Sequence, residues 1–177
     1  MRQNMRMTPL EDALQFGGTA LAHAAWIASD LQEGDLVCPV VMFEEGGSRD
    51  LYACEASTQS DAVQIGDQKT RELTEGDADR WAFAREGLIT DPKSGDKFDV
   101  LAVSCWSRGL DEPVKVHQLF IPSSAGTFRL IGEPLVAVHE HVLTEPVQSR
   151  LRQFVRAGIN SHPRGENWSK WQGRCDE

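Results

Sequence analysis

The chain has 177 residues, 40% hydrophobic and 25% charged, enough for one globular core without a metal or disulfides. Lys and Arg total 18 against 27 Asp and Glu, and the resulting −9 argues against general affinity for nucleic acid or an anionic membrane. No run approaches the ~20 apolar residues of a membrane-spanning helix, and MRQNMRMTPLEDAL lacks the apolar stretch of a secretory leader.

Thr8-Pro9-Leu10-Glu11 reads as a helix start: Thr8 caps, Pro9 suits the first helical position and Glu11 completes a capping box. Leu10, Leu14, Leu21, Ala24, Ala25, Ala28 and Leu31 follow at helical spacing, with Gly34 as the expected terminator. Gly17-Gly18 interrupts this helix, and close packing on a sheet explains it. The pair is no phosphate loop, because no Gly-Lys-Ser/Thr follows.

Leu36–Phe43 and Leu51–Ala56 predict a hairpin about a Gly46-Gly47 turn. That turn sets Glu44 opposite Arg49, Met42 opposite Leu51, and Val41 opposite Tyr52. Cys38 then faces Glu55 and Cys54 faces Pro39, so the two thiols point to opposite sides and should not bridge. Residues 60–73 read as a polar surface helix. Arg80–Thr90 is read as a strand, because Trp81 and Phe83 alternate with Ala82 and Ala84 and Asp91-Pro92 and Ser94-Gly95 mark a turn.

From Phe98 to His139 four short β runs follow: Phe98–Arg108, Val114–Ile121, Phe128–Ile131 and Leu135–His139. Their connections are too short for a helix, so the strands must pair antiparallel. With a four-residue loop Gly109–Glu112, Arg108 faces Pro113, His117 faces Ser104 and Cys105 faces Val116. Thr144 begins a last helix, to about Asn160, whose apolar face is Val147, Leu151, Phe154, Val155 and Ile159. The expected class is α+β: a single antiparallel sheet of about six or seven strands, packed with N-terminal and C-terminal helices. Apolar residues at both parities of the central strands imply that both faces are covered, by helices or by a partner. Residues 1–160 form the domain, and residues 161–177 a polar tail bearing Trp168 and Trp171.

Charge is uneven. Residues 147–177 hold six basic and three acidic residues, whereas the other 146 hold 12 and 24, a net −12. Cys38, Cys54, Cys105 and Cys175 show no C-x-x-C spacing, and the first three lie in apolar runs where a free Cys acts as a small hydrophobe. A reducing, cytoplasmic location follows as the expectation.

Candidate chemistry is sparse. His139-Glu140-His141 has the spacing for two imidazoles on one strand face, a fragment of a metal site needing a third ligand from elsewhere. Cys105 and His117 lie on paired strands but on opposite faces, which disfavours a thiol–imidazole dyad. No serine sits in a G-x-S-x-G frame. Glu44-Glu45 at the hairpin tip, the run Glu72, Glu75, Asp77 and Asp79, and Asp111-Glu112 offer an acidic recognition surface, with solubility as their default role. Trp168 and Trp171 either dock on their own domain or anchor a partner.

Three stretches, Leu36-Val37-Cys38-Pro39-Val40, Arg85-Glu86-Gly87-Leu88-Ile89 and the Arg108-Gly109 turn, occur in this order behind an N-terminal helix. Over residues 20–136 the chain resembles small uncharacterised bacterial α+β proteins. That resemblance implies a fold type and no activity or site residues.

The sequence therefore favours a non-catalytic binding protein of adaptor or immunity type over an enzyme, with no cofactor and with another protein as partner. Trp168, Trp171, Glu44 and Glu45 are its candidate contacts. The alternative is a metal-assisted hydrolase using His139 and His141. Association with a second copy is left open, and the −12 body opposes nucleic acid.

Overall fold

The computed structural model describes residues 6–173; Cys175, Arg174 and the acidic end of the tail lie outside it, as does the start of the N-terminal segment. Helix α1 spans Pro9–Ser29, strands β1 Val40–Glu45 and β2 Ser48–Ala53, and helix α2 Gln59–Glu75. Strands β3 Arg80–Thr90, β4 Lys97–Ser107, β5 Val114–Ile121, β6 Arg129–Val138 and β7 His141–Val142 follow, then helices α3 Glu145–Ser161 and α4 Trp168–Trp171. The strands form one seven-stranded antiparallel sheet in the order β2-β1-β3-β4-β5-β6-β7, an α+β fold with helices at both ends of the chain.

The capping box forms: the Glu11 N–H donates to Thr8 Oγ1 at 3.3 Å, and the Thr8 N–H donates to the Glu11 carboxylate at 2.9 Å. The helix stops at Ser29, short of Gly34, with Asp30 as its C-cap. Gly34 instead serves the turn into β1, at φ +86°. In the first hairpin Glu44 pairs with Arg49, Met42 with Leu51 and Val41 with Tyr52. The strands start and end nearer the turn than apolar content suggests, because the ladder runs through the Glu44–Arg49 ion pair to Gly46-Gly47. Pro39, which has no N–H to give a ladder, precedes the first strand residue.

Alternation in β3 sorts two cores. Ala82 and Ala84 face α1 and α3 with Leu101, Val103, Cys105, Val116 and Val136. Trp81 and Phe83 face the other way, under α2, with Val41, Leu73 and Trp106. The small side chains on the first face let α1 approach closely: a Cβ on Gly17 would lie 2.8 Å from Cys105 Sγ. Gly18 points instead at α3, so the glycine pair serves the sheet through one residue and the helix crossing through the other. Arg80 ties these layers by donating to Asp12 at 2.7 Å and Glu44 at 2.8 Å.

β4 and β5 pair two residues out of the expected register, with Cys105 opposite Val114 and Ala102 opposite His117. β4 stops at Ser107, and the Trp106 indole N–H reaches the Leu110 carbonyl at 2.9 Å, so the connection is longer than four residues. A shift of two preserves parity; Cys105 and His117 remain on opposite faces.

The two β runs 128–131 and 135–139 form one strand, β6, with a register irregularity between His117 and Leu119. Gln118 fills it, its amide N–H donating to the carbonyls of Leu119, Ile131 and Gly132. Beyond the irregularity, Gln148 of α3 brackets Val136, accepting from its N–H at 2.9 Å and donating to its C=O at 2.6 Å. The side-chain amide stands where a further strand would pair, closing an edge that β7 is too short to cover.

Residues 162–173 turn back onto the domain. Trp168 is 8% exposed within the main core, and Trp171 packs edge-on against Phe128 at 5.8 Å. Among the described residues no helix is long and apolar enough to cross a membrane.

Candidate functional site

Helices α1 and α3 cover one side of the sheet, while α2 on the other side packs on β1 and β3. Beyond Trp106, which shares the core under α2, the α2 side of β4, β5 and β6 is free of helix among the described residues. Register defines what it presents. One row runs Arg85, Ala102, His117, Leu135 across β3–β6, and the next runs Gly87, Val100, Leu119, Ile131. A third row places Ser104, Lys115 and Ala137 beside Phe83, and Ile89 opposite Phe98 extends the face outward.

This face is largely apolar. Ile89 and Phe98 are each 36% exposed and Leu135 41%, and Val100, though buried by its neighbours, belongs to neither core cluster. Its cationic groups are Arg85 and Lys115, and the half-buried His117 lies between them. Burial first, then Lys115 and Arg85, push the His117 imidazole below its ordinary pKa, against an upward pull from Glu140. Glu140 is ion-paired to Lys115 at the rim. A −9 protein thus offers an apolar surface with a basic centre.

The sequence-predicted groups lie elsewhere. His139 and Glu140 are the two turn residues joining β6 to β7, at φ +52° and +63°, with Val138 opposite His141. Chain reversal between His139 and His141 removes the shared strand face on which a two-imidazole ligand pair was expected. His139 Nδ1 lies 3.0 Å from Glu112. Among the described residues no group of three or more His, Cys, Asp or Glu side chains is gathered as a metal site would need. Glu44 is engaged by Arg49 and Arg80; burial raises its pKa, but the hydrogen bonds from both guanidinium groups outweigh this and hold it low. Glu45 is exposed at the hairpin tip.

Two imidazoles do meet, at a place the sequence did not single out. His23 Nδ1 of α1 and His162 Nε2 after α3 are 3.2 Å apart, beside Trp26. Burial lowers the pKa of His23. Burial, then His23, Arg164 and Arg49, lowers His162 to about 4. The two rings bond each other and hold helix to helix.

Cys38 is exposed, and it shares a depression at the start of α2 with buried Cys54. The pleat that would separate them does not extend to Cys38, which precedes β1. Both are free thiols, and burial raises both, Cys54 to about 11. Cys105 is fully buried and its thiol is pushed far up by burial alone. None of these is poised as a thiolate nucleophile.

No protein-family model matches this chain, and no curated protein or solved structure is significantly similar to it.

Arg85, Lys115, Leu119 and Leu135 were missed by sequence reasoning. Their signal was present: β4 and β5 carry apolar residues at both parities, as strands covered on both faces do. What a sequence lacks is the length of sheet that α2 can span.

Proposed function

We propose that the protein is a non-catalytic binding protein whose partner is another protein, docked on the helix-free face of β4–β6. A single observation carries this reading: three strands lie bare on one side, and their side chains there are mainly apolar, as a contact surface requires. The occupant is an acidic, amphipathic segment of that partner. Arg85 and Lys115 lie among the apolar residues, and a carboxylate set against them would gain from complementary charge. A second copy of this chain fits less well, since two-fold pairing brings the same basic groups toward each other. Adaptor and immunity-type roles both take this form, and a cytoplasmic setting suits the free thiols.

The test uses affinity capture from native lysate with the wild-type protein and with Leu119→Glu and Arg85→Glu variants side by side. The expected result is an acidic protein retained by wild type and lost with both variants. A capture profile identical for all three would refute the assignment of this face. Sedimentation of wild type alone checks the occupant: a dimer abolished by Leu119→Glu would assign the face to a second copy.

A further inference from the structure

On the helix side of the sheet, away from the open face, the end of α1, the start of β6 and the returning tail border an open cleft of about 490 Å3. That is within the range of roughly 300–1,000 Å3 typical of small-ligand pockets. Its walls combine Trp26 and Trp171 with Phe128, two cations (Arg164 and Lys170), the Asn167 amide and one carboxylate, Asp30. Neither cation forms an ion pair with a carboxylate among the described residues. Arg164 lies over the Trp26 ring at 5.6 Å from its centroid. Phe128 and neighbouring Trp168 fix the Trp171 ring edge-on at 5.8 and 6.4 Å, so this aromatic wall is held in place.

From this lining we propose that the cleft binds a free mononucleotide. Each group answers a different part of such a ligand. Trp171 offers stacking surface for a base, which is tolerant of base identity, while Arg164 covers Trp26. Arg164 and Lys170 supply charge-assisted hydrogen bonds to a phosphate. Asp30 can accept from ribose hydroxyls, a role that a carboxylate fills but would not fill toward a bare anion. Asn167 can both donate to and accept from a base edge. A lone inorganic anion would leave the aromatic walls unused and face Asp30. A long polyanion would meet the acidic body around the cleft, whose net charge is −12 outside the last 31 residues.

Titration calorimetry and tryptophan fluorescence on the full chain test this with AMP and GMP, adenosine, inorganic phosphate and an oligoadenylate hexamer. The expected result is saturable AMP or GMP binding with an indole fluorescence change, and adenosine or phosphate alone weaker by about tenfold or more, since each fills only part of the site. The double variant Arg164→Ala/Lys170→Ala should weaken AMP binding by about tenfold or more. Both side chains are exposed, and an unchanged far-UV spectrum verifies that this variant folds. Asp30→Asn should reduce the preference for AMP over its 2′-deoxy form. Absence of saturable mononucleotide binding, equal affinity of the double variant, phosphate binding as tightly as AMP, or a hexamer binding more tightly than AMP would each overturn the proposal. The open-face variants leave this readout unchanged, so the two proposals fail separately.

Discussion

Gly158 of α3 rests so closely on Gln15 of α1 that a methyl group in its place would overlap the Gln15 carbonyl oxygen. Gly18 makes the reciprocal contact with the Val155 carbonyl. Two backbones meet here without side chains between them, and Thr19 Oγ1 adds hydrogen-bond contacts to the Gly158 carbonyl at 3.1 Å and to Ser161 Oγ at 3.0 Å. Both obstacles are backbone atoms, which can be relieved only by moving a helix. Gly18→Ala and Gly158→Ala should each destabilise by about 2–3 kcal/mol or more, exceeding the ~1 kcal/mol that Ala gains in helix propensity. Gly17→Ala meets the side chain of Cys105 instead and should cost less, with Cys105→Ala restoring part of the loss. Urea unfolding midpoints rank the three.

Gln148 is 1% exposed and both ends of its amide are committed to Val136. Gln148→Met keeps the volume and strands a backbone N–H and C=O at the edge of β6. The expected loss is about 2–4 kcal/mol, because each unsatisfied buried group costs about 1–3 kcal/mol. Chemical denaturation measures it, and light scattering should show new self-association through the uncovered edge.

The His23–His162 pair makes stability depend on pH below neutrality. His162 has a folded pKa near 4 against its ordinary 6.5, and His23 is shifted in the same direction. The unfolded chain therefore takes up protons first as pH falls through 6.5. Stability from this pair is fully present above that value and is lost progressively toward pH 4. His117, also lowered, adds a loss of the same sign. His162→Gln should reduce the difference in urea midpoint between pH 7 and pH 5, and adding His117→Gln should reduce it further. An unchanged difference in both would remove these histidines from the account.

Exposed Leu135 and Ile89 stand on the open face, 41% and 36% exposed. Leu135→Asp and Ile89→Asp should change stability little, within about 1 kcal/mol, since little buried apolar area is lost. Solubility should rise. Trp81→Asp on the same sheet side, but under α2 and 3% exposed, should prevent folding; thermal melts of the three variants report the contrast.

Local chemistry was legible wherever neighbouring residues decide it. The Thr8 capping box, the Gly46-Gly47 hairpin register, the strand identity of Arg80–Thr90 and the bounds of β5 all follow from contacts within a few residues. The β4–β5 register was missed by two because Trp106 and Leu110 close their loop through a side chain that no turn pattern encodes. His139 and His141 were read as strand neighbours for a related reason: non-glycine residues at positive φ carry no sequence signature of reversal.

By itself the sequence determined an α+β chain, antiparallel strands, helices at its two ends and a parity pattern with apolar groups on both sheet faces. Alternation and capping act over a few residues, so they survive in one dimension. The tertiary structure alone decided that α2 rests mainly on β1 and β3, that His23 meets His162 across 139 positions, and that the tail borders a cleft with Trp26. Those outcomes depend on how far one rigid element reaches across another, a distance set by packing and not written in the order of residues.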